Sequence, residues 1–293
     1  MAITGIMVVK RSSKHINESL NSLKQLAEEI LIADIGMSDE LKIQLSSSAS
    51  VKVIPFPPVP YVELIREKLK KMASNEYVLF LDPDEVLPPS LIEILRAGYA
   101  KYDYISIPRK NIIFGKWIQN SRWWPDYQIR LFKKNAVIWP TEIHHQPEAK
   151  GTELKLEQKE ELAIIHHNYE SIDEYLEKAI RYAKAQANEK IQSGQEYRLN
   201  SAVKDGLSEF ISRYFAAKGY KDGMHGFVLS FLQMFYGFLV YFYYWEYKKY
   251  AVKNEEPTKE VKTFFAKGLY ETIYWTPKKI IDRIISRLVK KLN

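Results

Sequence analysis

Short apolar runs alternate along the first hundred residues with stretches whose apolar positions recur every three to four residues. A period of two or a continuous apolar run reads as a strand, and a period near 3.6 reads as a helix. On that basis strands are predicted over 3–9, 30–34, 51–54 and 77–81, with helices over 16–27, from Asp39, and over 61–72. The order βαβαβαβ implies an α/β fold: a mostly parallel, doubly wound sheet with right-handed crossovers and helices on both faces. Residues 77–81 are apolar throughout, as suits a strand covered on both sides, and they run directly into Asp82-Pro83-Asp84-Glu85. Ligands of open α/β sheets bind beyond the carboxyl ends of the strands, and Asp34 and Asp82 both stand at such ends.

The pattern then changes. A helix over 89–98 is followed by extended runs at 104–108, 111–114, 128–132 and 136–139, joined by a loop rich in Trp, Asn and Pro. This half reads as an antiparallel extension of the sheet. From Ile172 the pattern is helical, with Tyr175, Ala179, Tyr182, Ala183 and Ala187 on one face. Residues 223–245 contain no Asp, Glu, Lys or Arg, so they are long enough to cross a bilayer, yet aromatic enough for a headgroup belt. Three readings stay open: a span, an in-plane or re-entrant hairpin broken near Gly237, and a buried core helix. A last helix, 277–292, sets Ile281, Ile284, Ile285, Leu288 and Leu292 in one stripe among lysines and arginines. The organisation expected is therefore a domain over 1–200 (halves 1–100 and 101–200), an aromatic membrane-associating segment over 201–250, and a basic amphipathic helix within 258–293.

Composition narrows the chemistry. With 46% hydrophobic residues over 293 positions a core is available, and with no cysteine there is no disulfide, thiolate nucleophile or Cys-ligated metal. The net charge of +7 lies in residues 248–293, which hold twelve Lys/Arg and five Asp/Glu, leaving the rest balanced. A neutral body with a basic, aromatic tail fits an anionic membrane surface, not nucleic acid. The apolar N-terminus lacks a preceding cationic region and reads as a first strand, not a signal peptide.

Carboxylates at the end of a buried strand are costly unless paired or bound to a cation. Asp82 and Asp84 flank one residue and suit Mg²⁺ or Mn²⁺ with positions left for substrate phosphates, while the plainer reading makes them favoured acids before a helix N-terminus. Gln128 and Arg130 alternate with Ile129 and Leu131, so if the latter pair faces the core the former faces the site. For His166 and His167 the expectation is a hydrogen-bonded structural histidine.

The ordered series is more specific than any one of these motifs. Asp34, Arg66, Phe80-Leu81-Asp82-Pro83-Asp84-Glu85 and Trp124-Pro125-Asp126-Tyr127-Gln128-Ile129-Arg130-Leu131-Phe132 resemble family 2 glycosyltransferases of the GT-A fold. More narrowly they resemble the branch containing the bacterial lipopolysaccharide core β-glucosyltransferases. Ile107-Pro108-Arg109 with Asn111, Ile143-His144, His166 with Tyr169, Arg181-Tyr182-Ala183 and Gly219-Tyr220-Lys221-Asp222-Gly223 continue the order. The chain departs from the pattern at Arg11-Ser12-Ser13, at Asp34-Ile35-Gly36-Met37-Ser38-Asp39 and at His145.

The resemblance implies an inverting, metal-dependent transfer of a hexose, with glucose expected, from a nucleoside-diphosphate sugar, a UDP-sugar above all. The acceptor implied is a lipid-linked or cell-surface glycan such as lipopolysaccharide core, met at the cytoplasmic face of the inner membrane. It would make Asp126 the general base, with Asp34, Arg66, Asp82 and Arg130 on the nucleotide sugar. Asp84, Asp82 and His144 would hold Mn²⁺ or Mg²⁺, and Trp123, Trp124 and Gln128 would line the acceptor side. Two alternatives remain: a polyprenyl-phosphate sugar synthase, and a catalytically degenerate membrane-bound glycan-assembly subunit.

Overall fold

The predicted alternation is the one the chain adopts over its first hundred residues. A computed structural model describes residues 2–11, 13–59, 61–139, 147–251 and 255–276. His144 and the helix expected over 277–292 lie outside the described residues. The elements run β1 (Ile3–Val9), α1 (Ile16–Lys24), β2 (Glu29–Asp34), α2 (Asp39–Ser46), β3 (Val51–Pro55), α3 (Glu63–Met72) and β4 (Tyr77–Phe80). Then follow β5 (Glu85–Val86), α4 (Pro89–Gly98), β6 (Tyr104–Ile107), β7 (Arg109–Ile113), β8 (Lys116–Trp117) and β9 (Gln128–Lys133). After these come β10 (Val137–Ile138), β11 (Glu148–Ala149), β12 (Glu153–Lys155), β13 (Ile164–Tyr169) and α5 (Ile172–Gln192). The last elements among the described residues are α6 (Leu199–Ile211), α7 (Met224–Tyr247) and α8 (Pro257–Trp275).

By its contacts the chain divides into two compact units, 1–119 with 123–175, and 120–122 with 176–293. The first unit is built on a seven-stranded mixed sheet of order β12-β6-β9-β4-β1-β2-β3, in which β9 runs antiparallel to both neighbours. Alternate residues of one strand feed opposite layers, which is why its runs are apolar without a break. Ile3, Met7 and Val9 of β1 join Leu20, Leu23, Leu41 and Leu91 on one side, while Ile6 and Val8 join Ile65 and Leu69 of α3 on the other. Gly5 lets α1 lie against β1: a Cβ there would meet the Leu23 side chain at 2.9 Å. A second sheet of order β5-β13-β7-β8 packs Glu85, His166 and Asn111 into one row by register.

Among the described residues the second unit is helical. Residues 223–245 form no hairpin: α7 continues unbroken through Gly237, which instead lies 3.4 Å (from its ideal Cβ) from Gly206 Cα of α6. Mutual glycines let two helices approach to backbone contact without breaking either. α7 is long and apolar enough to span a membrane, with mean hydropathy 1.5 and only 28% of its most apolar window buried. α8 exposes Val261, Phe265, Leu269, Tyr270 and Tyr274.

Gly226 sets the start of α7. A Cβ at that position would fall 1.8 Å from the Gly219 carbonyl oxygen, a backbone atom with no freedom to yield. Gly226→Ala is expected to cost about 3 kcal/mol, the upper range for overpacking. Gly268→Ala, whose new methyl meets nothing closer than Leu207 Cδ1 at 3.7 Å, is the matched control. Thermal unfolding in detergent reads the difference, and equal melting temperatures for the two variants contradict the clash.

Candidate active site

The carboxyl edge of the large sheet and the facing row of the small one bring six charged side chains into an alternating chain. Arg66 Nη2 of α3 lies 3.3 Å from Asp82 Oδ1, and Arg130 Nη2 of β9 lies 2.7 Å from Asp82 Oδ2. Arg130 also pairs with Glu85, which accepts from Arg109 Nη1 at 3.1 Å. Arg109 closes the series on Asp126, with Nη2 to Oδ2 at 2.7 Å and Nε to the same oxygen at 2.8 Å. The order is Arg66, Asp82, Arg130, Glu85, Arg109, Asp126, each charge between opposite neighbours.

Burial makes the alternation necessary. Glu85 is fully buried and Arg130 is 2% exposed, and isolated charges so far from water would be prohibitively costly. Burial alone would push the Asp82 carboxyl up, but Arg130, Arg66, His166 and Arg109 together hold it well below the usual carboxylate range. Asp126 is likewise raised by burial and lowered more strongly by Arg109, the Asn111 amide and His166. Both are therefore ionised at neutral pH.

A second link runs beside the first. Asn111 Nδ2 donates to Asp126 Oδ2 at 2.8 Å and to the Trp123 carbonyl at 2.9 Å, and Asn111 Oδ1 lies 2.6 Å from His166 Nδ1. If the amide is assigned that way round, Nδ1 carries the proton and Nε2 faces Asp84 Oδ2 at 3.7 Å. His166 is thus the buried, hydrogen-bonded histidine expected, and it also belongs to the site. Gln128 Nε2 donates to Asp126 Oδ1 at 3.0 Å, which leaves that oxygen the less occupied of the two.

Arg130 arrives by a route the strand period does not foresee. Ile129 pairs with Ser106 and Leu131 with Ile105, so Arg130 is the extra residue of a bulge. The alternation breaks there: Leu131 packs in the layer with α1 and Ile129 in the layer with α3. The premise that Ile129 and Leu131 share the core face fails, because a bulge re-aims the side chains around it. Arg66 is steadied by the Trp139 ring at 4.5 Å and the Phe80 ring at 5.6 Å.

Asp34 stands apart from this chain. Its Oδ1 accepts from Gly36 N at 2.8 Å and Met37 N at 2.7 Å, and its Oδ2 lies 3.1 Å from Lys42 Nζ, so it holds the turn after β2. Burial raises its pKa, and those two N–H groups and Lys42 more than offset that. It occupies the same sheet edge as Asp82, with β1 between their strands. Trp124 meets Trp117 edge to face at 5.2 Å. Glu85, Arg109 and Asn111 are site residues to which the sequence alone assigns no role. The Arg-x-Asn spacing of 109 and 111 on one strand was the available signal, since it puts both on one face.

The residues present fit a divalent cation. Four carboxylates (Asp82, Asp84, Glu85, Asp126) face three guanidinium groups, and Asp84 with His166 offers oxygen and nitrogen donors together. They also fit an anion. Among the described residues the buried Nε of Arg66 and that of Arg130 have no protein hydrogen-bond partner.

A mixed α/β sheet with helices on both faces and a charged site at its carboxyl edge is GT-A-like architecture. Residues 5–149 match the family model described as glycosyl transferase family 2, and the chain is a glycosyltransferase. An uncharacterized glycosyltransferase of Rickettsia typhi is 24% identical over 248 residues, covering 81% of this chain and 84% of that protein. A Rickettsia conorii counterpart is 23% identical over 248 residues, covering 81% and 87%. Among solved structures, S. aureus TarS 1–349 in complex with UDP aligns at 15% identity and a TM-score of 0.45, covering 87% of this chain and 93% of that one.

Proposed function

We propose that this glycosyltransferase moves a hexose with inversion from a nucleoside-diphosphate sugar, a UDP-sugar first among them, to a lipid-linked or surface glycan. Lipopolysaccharide core is the acceptor class that the sequence resemblance favours. The observation that carries the reading is Asp126: an ionised carboxylate held at Oδ2 by Arg109 and Asn111, with Oδ1 carrying a single amide. An inverting transfer needs one base to take the acceptor hydroxyl proton as the anomeric carbon is attacked from the opposite face. Oδ1 of Asp126 takes that proton. Gln128, at 3.0 Å, positions the carboxylate.

The donor end is the Arg66–Asp82–Arg130 segment. Arg66 and Arg130 present buried N–H groups to the diphosphate, and Asp82, lowered in pKa, accepts from the ribose. Asp84, with His166, would hold Mn²⁺ or Mg²⁺, and such a cation would supply positive charge opposite the departing nucleoside diphosphate. Asp34 marks the base end of the same edge. Trp123 and Trp124 supply aromatic faces of the kind that pack on sugar rings.

The helical unit supports a reaction at a membrane surface. The exposed aromatics of α7 (Phe227, Phe231, Phe235, Phe242, Trp245) and of α8 suit a membrane surface, and a lipid-borne acceptor confined to that surface is met at higher effective concentration. We place the protein at the cytoplasmic face of the inner membrane, where nucleotide sugars are supplied.

The test is thermal stabilisation of detergent-solubilised protein by UDP, GDP, dTDP and CDP, each with and without Mn²⁺. One nucleotide is expected to raise the melting temperature only with the metal, because a ligand specific to the folded state stabilises it. Asp84→Asn is expected to abolish that metal-dependent shift while leaving the melting temperature without nucleotide near wild type. A full shift in this variant would remove Asp84 from the metal assignment.

A further inference from the structure

On the side of β13 away from His166 stands a group that the transfer chemistry leaves unused. His15 precedes α1, and His167 and Glu170 come from β13 and the residue after it, yet one ligand atom from each lies within 4.8 Å of the others. The two imidazoles stack at 3.5 Å between centroids and 7° between planes. His15 Nε2 lies 3.3 Å from Glu170 Oε1, and His15 Nδ1 lies 3.3 Å from Glu18 Oε2.

We propose that His15, His167 and Glu170 form a second metal site, distinct from the Asp84 site, that takes Zn²⁺. Two imidazole nitrogens and one carboxylate oxygen are a borderline-soft set that favours zinc over magnesium and manganese, which prefer all-oxygen shells. Three protein ligands with a fourth position open to water is a common zinc arrangement. Glu18 supplies the outer contact. A carboxylate on Nδ1–H fixes the tautomer that leaves Nε2 free for the metal, and this is the usual second partner of a zinc histidine.

The surroundings favour a cation. Glu18 lies against His15, and Glu170 and Glu174 face Lys14, so three carboxylates surround the group with one ammonium among them. Lys14 Nζ lies 2.9 Å from Glu170 Oε2, but its side chain is 75% exposed and swings into water when an ion takes the carboxylate. Zinc–ligand bonds of about 2.0–2.1 Å put tetrahedral donors about 3.3 Å apart, so binding draws the three atoms together from within 4.8 Å and turns one imidazole out of the stack, bringing both in-plane lone pairs onto the ion. The opposing factor is the positive end of α1, at whose N-terminus His15 sits. That effect is worth about 1 kcal/mol or less and the surrounding carboxylates outweigh it.

The position gives the site a consequence. His167 N–H donates to the Asp84 carbonyl at 2.9 Å, so zinc would tie the connection entering α1 to the strand that steadies the Asp84 backbone.

Visible absorption during a Co²⁺ titration of the full-length protein in excess Mg²⁺ tests this, with zinc displacing the cobalt. One equivalent is expected to give the intense d–d bands of a four-coordinate N/O site, abolished by Zn²⁺. His15→Gln and Glu170→Gln, at partly exposed positions that do not threaten folding, are each expected to weaken binding by about a hundredfold or more, whereas Asp84→Asn retains it. The proposal is overturned if no band forms, if both histidine-site variants bind as wild type does, or if Asp84→Asn alone removes the band, since that ion would then sit at the transfer site. None of these outcomes depends on the identity of the donor sugar.

Discussion

Asp126→Asn is expected to lower kcat for glycosyl transfer by about 10²–10⁴-fold, the range for losing a positioned general base. The asparagine keeps an oxygen for Arg109 and Asn111, so the loop at 123–127 stays in place, but it has no negative charge with which to accept the hydroxyl proton. Nucleotide affinity should be nearly unchanged, since Arg66 and Asp82 stand at the far end of the ion-pair chain from Asp126. Steady-state kinetics with a separate nucleotide-binding measurement distinguish the two effects. A variant within tenfold of wild type in kcat would show that the base is another group.

The second large effect is on stability. Glu85 is fully buried between Arg109 and Arg130, and its other oxygen accepts the Asp82 N–H at 3.1 Å. Glu85→Gln removes the charge while nearly preserving the shape. Breaking a buried ion pair from one side costs about 3–5 kcal/mol, because the partner is left with an uncompensated charge. Each arginine retains one carboxylate, Asp126 for Arg109 and Asp82 for Arg130, which puts the expected loss near 3 kcal/mol. Chemical denaturation of the variant measures it. A loss below about 1 kcal/mol would mean that the arginines find water, and that the site is wetter than its burial indicates.

These two residues differ in how visible they are in the chain. Asp126 stands in a run of motifs whose order is recognisable; Gln128 touches it directly, while Arg66, Asp82 and Arg130 reach it only through Glu85 and Arg109. Glu85 reads in sequence as one more acid before a helix. It becomes central only because β5 pairs with β13, and β13 with β7, joining residues 85, 166 and 111 across a separation of up to 81 positions. The bulge at Arg130 was equally hidden. A period of two holds until packing inserts a residue, and nothing local at 128–132 announces it. Gly237 misled in the other direction: a glycine within an apolar run suggests a break, whereas here it provides close contact with Gly206.

The sequence by itself determined the alternation of β1 to β4 with their helices, the delivery of Asp34 and Asp82 to one edge, and the length and apolarity of α7. Those properties follow from hydrophobic periodicity, which is written locally because each element must bury its own face. Only the tertiary structure decided the pairing of the second sheet, the alternating chain from Arg66 to Asp126, and the meeting of His15 with His167 and Glu170. Each of these joins residues far apart in sequence. Which charge lies beside which, once water is removed, is set by the register in which the strands pack.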